Sequence, residues 1–235
     1  TPCGTLFPYT TLFRSVLTWL ASIALLLSPL SDRLPVWLWP LGTLWLTLLY
    51  TGLFITAHDA IHGNLWRYRR RVNAWIGRVI LFVYALFPYK RVREQHFLHH
   101  KFPARPKDPD YHDGRHKGFG RWYLRFMRHY LTIWQLIGMA AVFNLLQHLI
   151  GIPVGKVLSF WVAPALLRTV QLFTFGVFLP HREPTGGYDN RHHARSNDYP
   201  VWLSLLTSYH FGYHLEHHRY PRTPWWRLPE KRTAR

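Results

Sequence analysis

Thiol chemistry is nearly absent from this 235-residue chain, whose one cysteine is Cys3. A single thiol excludes disulfides within the chain and any thiolate metal set. Acidic residues are scarce as well, 11 Asp and Glu against 29 Lys and Arg, for a formal charge of +18. No GxGxxG or other nucleotide-binding loop occurs. Repeats and low-complexity linkers are missing too, which argues for one domain. In a soluble chain so large a positive charge points to nucleic acid. Here no RNA- or DNA-binding motif is present and the basic residues lie beside long apolar blocks, so loops facing anionic lipid explain them better.

Apolar and aromatic residues are plentiful, with 12 Trp. Residues 16–30 form an apolar block shorter than the roughly 20 residues of a full span. Residues 34–57 carry no charge and would make a helix of about 36 Å, enough to cross a bilayer. Residues 72–89 are apolar but interrupted by Arg78. They lie between two histidine clusters that must meet on one side of the membrane. A full crossing would part those clusters by about 30 Å, so this stretch is expected to be interfacial or re-entrant. Residues 90–128 read as a polar loop region. Residues 130–150 and 157–180 read as two further spans joined by the turn GIPVGK. All but four of the 29 basic residues lie in 66–128 and 181–235, which places both regions in the cytoplasm.

The expected fold is all-α: a polytopic membrane helical bundle with a cytoplasmic, histidine-rich di-metal cap. It occupies residues 16–235 as one domain. Residues 1–15, TPCGTLFPYTTLFRS, fit nothing that follows and are expected to be an artefactual N-terminus.

Histidine is the residue that carries chemistry. Of 16 histidines, eight fall in three clusters: His58 and His62 (HDAIH), His96, His99 and His100 (HFLHH), and His214, His217 and His218 (HLEHH). Positions three and four apart share a helix face, so each cluster can aim its imidazoles at a common metal. A structural zinc takes four ligands and a catalytic one three plus water, whereas eight histidines supply two metals with four each. Imidazole alone does not choose between zinc, copper, iron and nickel. No catalytic residue beyond the metal centre is assigned. Asp59 and Glu216, inside the clusters, are candidates to accept the second N–H of a ligating imidazole.

The set HxxxH, HxxHH and HxxHH resembles the membrane fatty-acid desaturase and hydroxylase superfamily. Within it, AHDAIHG (57–63), FPYKRVREQHFLHHKFP (87–103), DPDYHDG (108–114), FLPHREP (178–184), RHHARSND (191–198) and HFGYHLEHHRYPRTPWWRLP (210–229) look like bacterial β-carotene ketolases. The sequence departs from that pattern at His193, where the ketolases carry Asn after the histidine. The resemblance implies two irons, O2 as co-substrate, a carotenoid substrate in the lipid bilayer, and an external electron donor such as ferredoxin. It implies oxidation of the ring C4 methylene of β-carotene to a ketone, through two hydroxylations and loss of water, at the cytoplasmic face of a bacterial inner membrane. It also adds His192 as a further candidate ligand, with a supporting donor or a solvated side chain as the alternatives, while His210, one helical turn before His214, is by its spacing a candidate ligand or support. Rival readings are an acyl-lipid desaturase, a carotenoid hydroxylase, and, outside enzymes, a histidine-rich metal transporter. A transporter would set its ligands near midspan, and His148 is the only histidine within the spans 34–57, 130–150 and 157–180.

The remaining histidines and acids have plainer readings. His181 supports the site or caps the last span, His148 is structural, and His112, His116 and His129 are solvated or interfacial. Asp108 and Asp110 are accounted for as turn residues beside Pro109. Trp37, Trp39, Trp225 and Trp226 suit an interfacial aromatic belt.

Overall fold

The computed structural model describes the backbone of residues 7–232 and the side chains of residues 15–232. Residues 1–6, part of the stretch expected to be artefactual, lie outside the described residues. Helices α1 (Phe7–Leu27), α2 (Trp39–His62), α3 (Arg70–Ala85), α4 (Tyr89–Lys101) and α5 (Phe119–Tyr130) come first. They are followed by α6 (Ile133–Leu149), α7 (Val154–His181), α8 (Val201–Ser208), α9 (His214–Arg219) and α10 (Leu228–Arg232). No strand occurs among the described residues, so the expected all-helical architecture is borne out.

Two helical stretches, Val36–His62 and Val154–His181, are long and apolar enough to cross a membrane, at 27 and 28 residues. Each measures about 40 Å at 1.5 Å per residue, about 10 Å more than the hydrocarbon thickness. The excess lets the last turns, with His58, His62 and His181, stand at the boundary while the apolar part stays in lipid. Large apolar side chains such as Leu41, Leu44, Phe82, Ile137 and Leu166 are exposed on α2, α3, α6 and α7. A lipid-facing surface explains such a belt, since a water-facing one would be an unusually large apolar patch.

Stops and bends follow from local chemistry. Gly63, at φ 79°, closes α2 in the left-handed conformation that glycine adopts without strain. Pro88 disfavours helical geometry in the preceding residue, and there the chain turns by 104° between α3 and α4. α3 itself, 16 residues and about 24 Å long, falls short of the roughly 30 Å hydrocarbon thickness before the chain turns away. Thr132 caps α6 by accepting from the Gln135 amide at 3.1 Å, just after an 88° turn from α5. Within α7, π-helical turns at Leu158–Val162 and Phe173–Phe178 precede Pro164 and Pro180, where a missing N–H would break a regular ladder.

The region 90–128 is not the polar loop expected from its charge. HFLHH lies on α4 and residues 119–130 form α5. Both helices are rich in basic residues, which pattern reading takes for loop, yet each buries one side: Val92, His96 and His99 on α4, Trp122 and Phe126 on α5.

α2 runs through the centre, packed by α1, α3 and α7. One core cluster joins Trp19, Tyr50, Tyr84 and Phe160. A second joins Ile55, Trp122, Phe126, Leu172, Phe173 and Phe211 and forms a wall beneath the histidines.

Candidate metal centre

His58 and His62 occupy the last two turns of α2, and both are offered to the same space as α4 and α9. The eight cluster histidines do converge, and His181 joins them. His58, His62, His96 and His217 form one group, and His99, His181, His214 and His218 a second, with the ligand atoms of each group within 4.8 Å of one another. His100 stands between them. Its Nε2 is 2.9 Å from that of His217, and its ring stacks on His218 with centroids 4.3 Å apart.

The clusters do not each serve a common metal, as helix-face reasoning suggests. On α4, His96 and His100 lie toward the first group and His99 crosses to the second. On α9, His214 and His218 join the second group and His217 crosses to the first. At about 100° per residue, positions i+3 and i+4 straddle the helix face by roughly 100°. Each HxxHH therefore feeds two sites.

The donor atoms fit a metal better than they fit each other. Nε2 of His99, His214 and His218 form a triangle with sides of 3.0, 3.1 and 3.4 Å. A ring nitrogen is either a donor or an acceptor, so in a triangle at least one side pairs like with like. A cation between them removes the conflict, and metal–imidazole bonds of about 2.0–2.1 Å match spacings of this size. In the first group Nε2 of His62 and His96 approach to 2.6 Å. Nε2 of His58 and of His181 are buried without a protein partner. Burial also pushes the imidazoles of His214, His217 and His218 well below their ordinary pKa, and the neutral ring is the form a metal binds.

Outer contacts set the rings. His99 Nδ1 donates to both carboxylate oxygens of Asp108 at 3.0 Å. His181 Nδ1 donates to the His193 carbonyl at 2.8 Å, which leaves its Nε2 lone pair facing the second group. Burial works to raise the Asp108 carboxyl, but the adjacent His99 outweighs it and holds the acid low. Burial pushes Asp110 up to about 6, and Tyr130 donates its hydroxyl to Asp110 Oδ1 at 2.6 Å. Asp59 lies 3.7 Å from His58 Nδ1 and accepts the Trp225 amide at 3.1 Å. Glu216 accepts from the Ser196 hydroxyl. That hydroxyl also receives the Leu215 amide at 3.1 Å, so the Glu216 contact fastens α9 to the 190s loop.

Other candidates fall elsewhere. His192 accepts from Arg191 Nε at 3.3 Å and comes no nearer to the groups than the His218 ring, with centroids at 5.9 Å, so it joins neither. His210 stacks between Tyr213 and Trp225, also outside both. His148 is exposed on the final turn of α6. His112 is not solvated: it is 5% exposed, packed on Tyr111 and Trp122. Trp225 packs on Tyr209 and anchors Asp59 rather than joining a belt. Asp108 was hidden behind its own turn. It accepts the amides of Ala104 and Asp110 at 2.8 Å as a turn aspartate does, and the same carboxylate holds His99. Asp-x-Asp a few residues after a histidine cluster was the available signal.

A cavity opens from this centre toward the apolar helices. It is lined by His58, His96, His99 and His214 at one end and by Phe54, Phe126 and Phe211 along its walls. Phe211 packs edge-on to His58 and His214, at 4.9 and 5.2 Å. It can do so because Gly176 has no side chain: a Cβ there would sit 2.4 Å from the Phe211 ring. Gly176→Ala is expected to drive that ring toward the histidines, costing about 1–3 kcal/mol of overpacking and about tenfold or more in turnover per inserted chain. Unchanged turnover would show that Phe211 does not hold the cavity's shape.

The sequence profile described as "Fatty acid desaturase" matches residues 35–134 and 128–234. The chain belongs to the fatty acid desaturase family. Within that family it is similar to proteins named β-carotene ketolase from two Paracoccus strains. One is 40% identical over 82% of this chain and 77% of its own length. The other is 41% identical over 80% and 76%. A β-carotene 4-ketolase of Protosiphon botryoides is 38% identical over 78% of this chain, which spans 49% of that relative. The motif resemblance to the ketolase branch of the desaturase family is thereby borne out.

Proposed function

We propose that this desaturase-family chain is a membrane oxygenase that converts the C4 methylene of β-carotene rings to a ketone, giving echinenone and canthaxanthin. What carries the reading is the pair of buried imidazole groups beside a largely apolar cavity, in a chain about 40% identical to β-carotene ketolases. One iron would be held by His58, His62, His96 and His217, the other by His99, His181, His214 and His218, with His100 between. Iron bound there supplies the O2 activation that side chains lack.

The chain's residues do the rest. Phe54, Phe126 and Phe211 confine a flat apolar ring and exclude water from the histidine end. Two hydroxylations at one carbon followed by loss of water leave the ketone. The separate electron donor is expected to approach the basic face formed by 66–128 and 181–235, which we place in the cytoplasm beneath a bacterial inner membrane. Residues 16–235 act in this as one domain.

Expression in cells that make β-carotene tests the proposal by pigment analysis. Echinenone and canthaxanthin are the expected products, with about two irons per purified chain. Zeaxanthin instead would indicate ring hydroxylation, and new unsaturation in acyl chains alone would indicate a lipid desaturase. Asp108→Asn gives a graded check on the centre. It removes the charge that His99 leans on and is expected to weaken iron retention about 10- to 100-fold in a chelator titration. Retention equal to wild type would remove Asp108 from the account.

A further inference from the structure

Arg168 is the buried group that the histidine chemistry leaves unused. It lies midway along α7, 2% exposed, and lines the same cavity as His58, His96, His99 and His214. The guanidinium carbon is 3.9 Å from the Phe54 ring centroid and 5.0 Å from that of Tyr84. These contacts use the flat face of the cation and leave its in-plane N–H groups to find acceptors. Nε and Nη2 find none, and no Asp or Glu forms an ion pair with Arg168 among the described residues. The Tyr84 hydroxyl stands beside the guanidinium and offers it one acceptor, against five N–H donors. Arginine stays protonated at any ordinary pH, and a buried cation with unmade hydrogen bonds is costly. Two aromatic faces offset part of that cost. An oxygen acceptor inside the cavity would offset more of it.

We infer that Arg168 forms a subsite for an oxygen atom on the carotenoid end ring, so that the cavity favours a ring already carrying a hydroxyl over a hydrocarbon ring. This rests on the carotenoid-oxygenase reading above. Phe54 precedes His58 by one helical turn, about 6 Å along α2. The guanidinium stacked on Phe54 and the imidazole of His58 therefore line the same cavity about one helical turn apart. A hydroxyl on the carbon beside C4 would accept from Nε or Nη2 while C4 faces the histidines. A hydrocarbon ring in the same place leaves both donors unpaired, and a polar site rejects an analogue that lacks its partner far more strongly than an apolar pocket rejects an extra group.

The test gives the full chain in nanodiscs, with a reducing system, equimolar β-carotene and zeaxanthin, whose rings carry that hydroxyl. The products of each are counted. The wild type is expected to prefer zeaxanthin in kcat/KM, and Arg168→Leu to lower that preference about tenfold or more, the size of one charged hydrogen bond. Arg168→Gln, which keeps an N–H donor of shorter reach, is expected to retain part of it. A wild type with no preference, or one that both variants leave intact, overturns the subsite. Binding of each pigment, read by quenching of tryptophan fluorescence, keeps this apart from the function proposed above. A wild type that converts neither pigment but binds zeaxanthin more tightly, with the difference lost in Arg168→Leu, contradicts the ketolase and upholds the subsite.

Discussion

His217→Ala is expected to abolish ketone formation while the chain still inserts into membranes. His217 is 2% exposed, and its ring centroid lies 4.5 Å from that of His58, 4.9 Å from His62 and 4.8 Å from His100. It is the one residue of α9 that reaches the first group. Alanine there removes one of four donors and opens the ring stack around the others. Loss of the metal forfeits several kcal/mol of transition-state stabilisation, about a thousandfold or more in rate. The apolar stretches Val36–His62 and Val154–His181 are untouched, so insertion is unaffected. Pigment formed per chain and iron per chain are the two readings. Substantial turnover in this variant would show that the third histidine cluster does not hold the metal.

His181→Ala is expected to be as damaging, and it separates two roles. As a support that merely caps α7, His181 would contribute packing alone. The structure places its ring 4.7 Å from His99 and 4.8 Å from His214, fully buried, with Nδ1 fixed on the His193 carbonyl and Nε2 without a protein partner. A buried lone pair aimed into three other imidazoles is the geometry on which we propose His181 as a ligand. The variant should therefore lose about one iron per chain and fall about a thousandfold in turnover. A modest loss with both irons retained would return His181 to the supporting role that its place after the last span suggested. His148→Ala is the matched control, because its ring is exposed at the end of α6, and its turnover should equal wild type.

Much of the site is legible in the sequence. Histidines at spacings of three and four can only be brought together by helices, and helices did so at His58/His62, His96/His100 and His214/His218. The run 34–57 announced a crossing helix because a charge-free stretch of that length has no better solvent than lipid. Less legible was the charged stretch 90–128. Its helices hide their apolar sides behind Arg and Lys whose stems lie along the surface. His112, expected to be solvated or interfacial, is buried because Trp122 on α5 closes over it beside Tyr111, an approach that no local pattern shows.

The sequence by itself determined the family, the helical architecture and the number of imidazoles, because these depend on residue type and on local period. Only the tertiary structure decided how those imidazoles divide. Adjacent histidines on one helix diverge by about 100°, and which of them meets which metal depends on how α2, α4, α7 and α9 cross. It also decided that His181 completes the second group, that Asp108 steadies His99, and that Arg168 faces the same cavity as the histidines. Each of those pairings joins segments far apart in the chain or turned out of register, and no local pattern encodes where such segments come to rest.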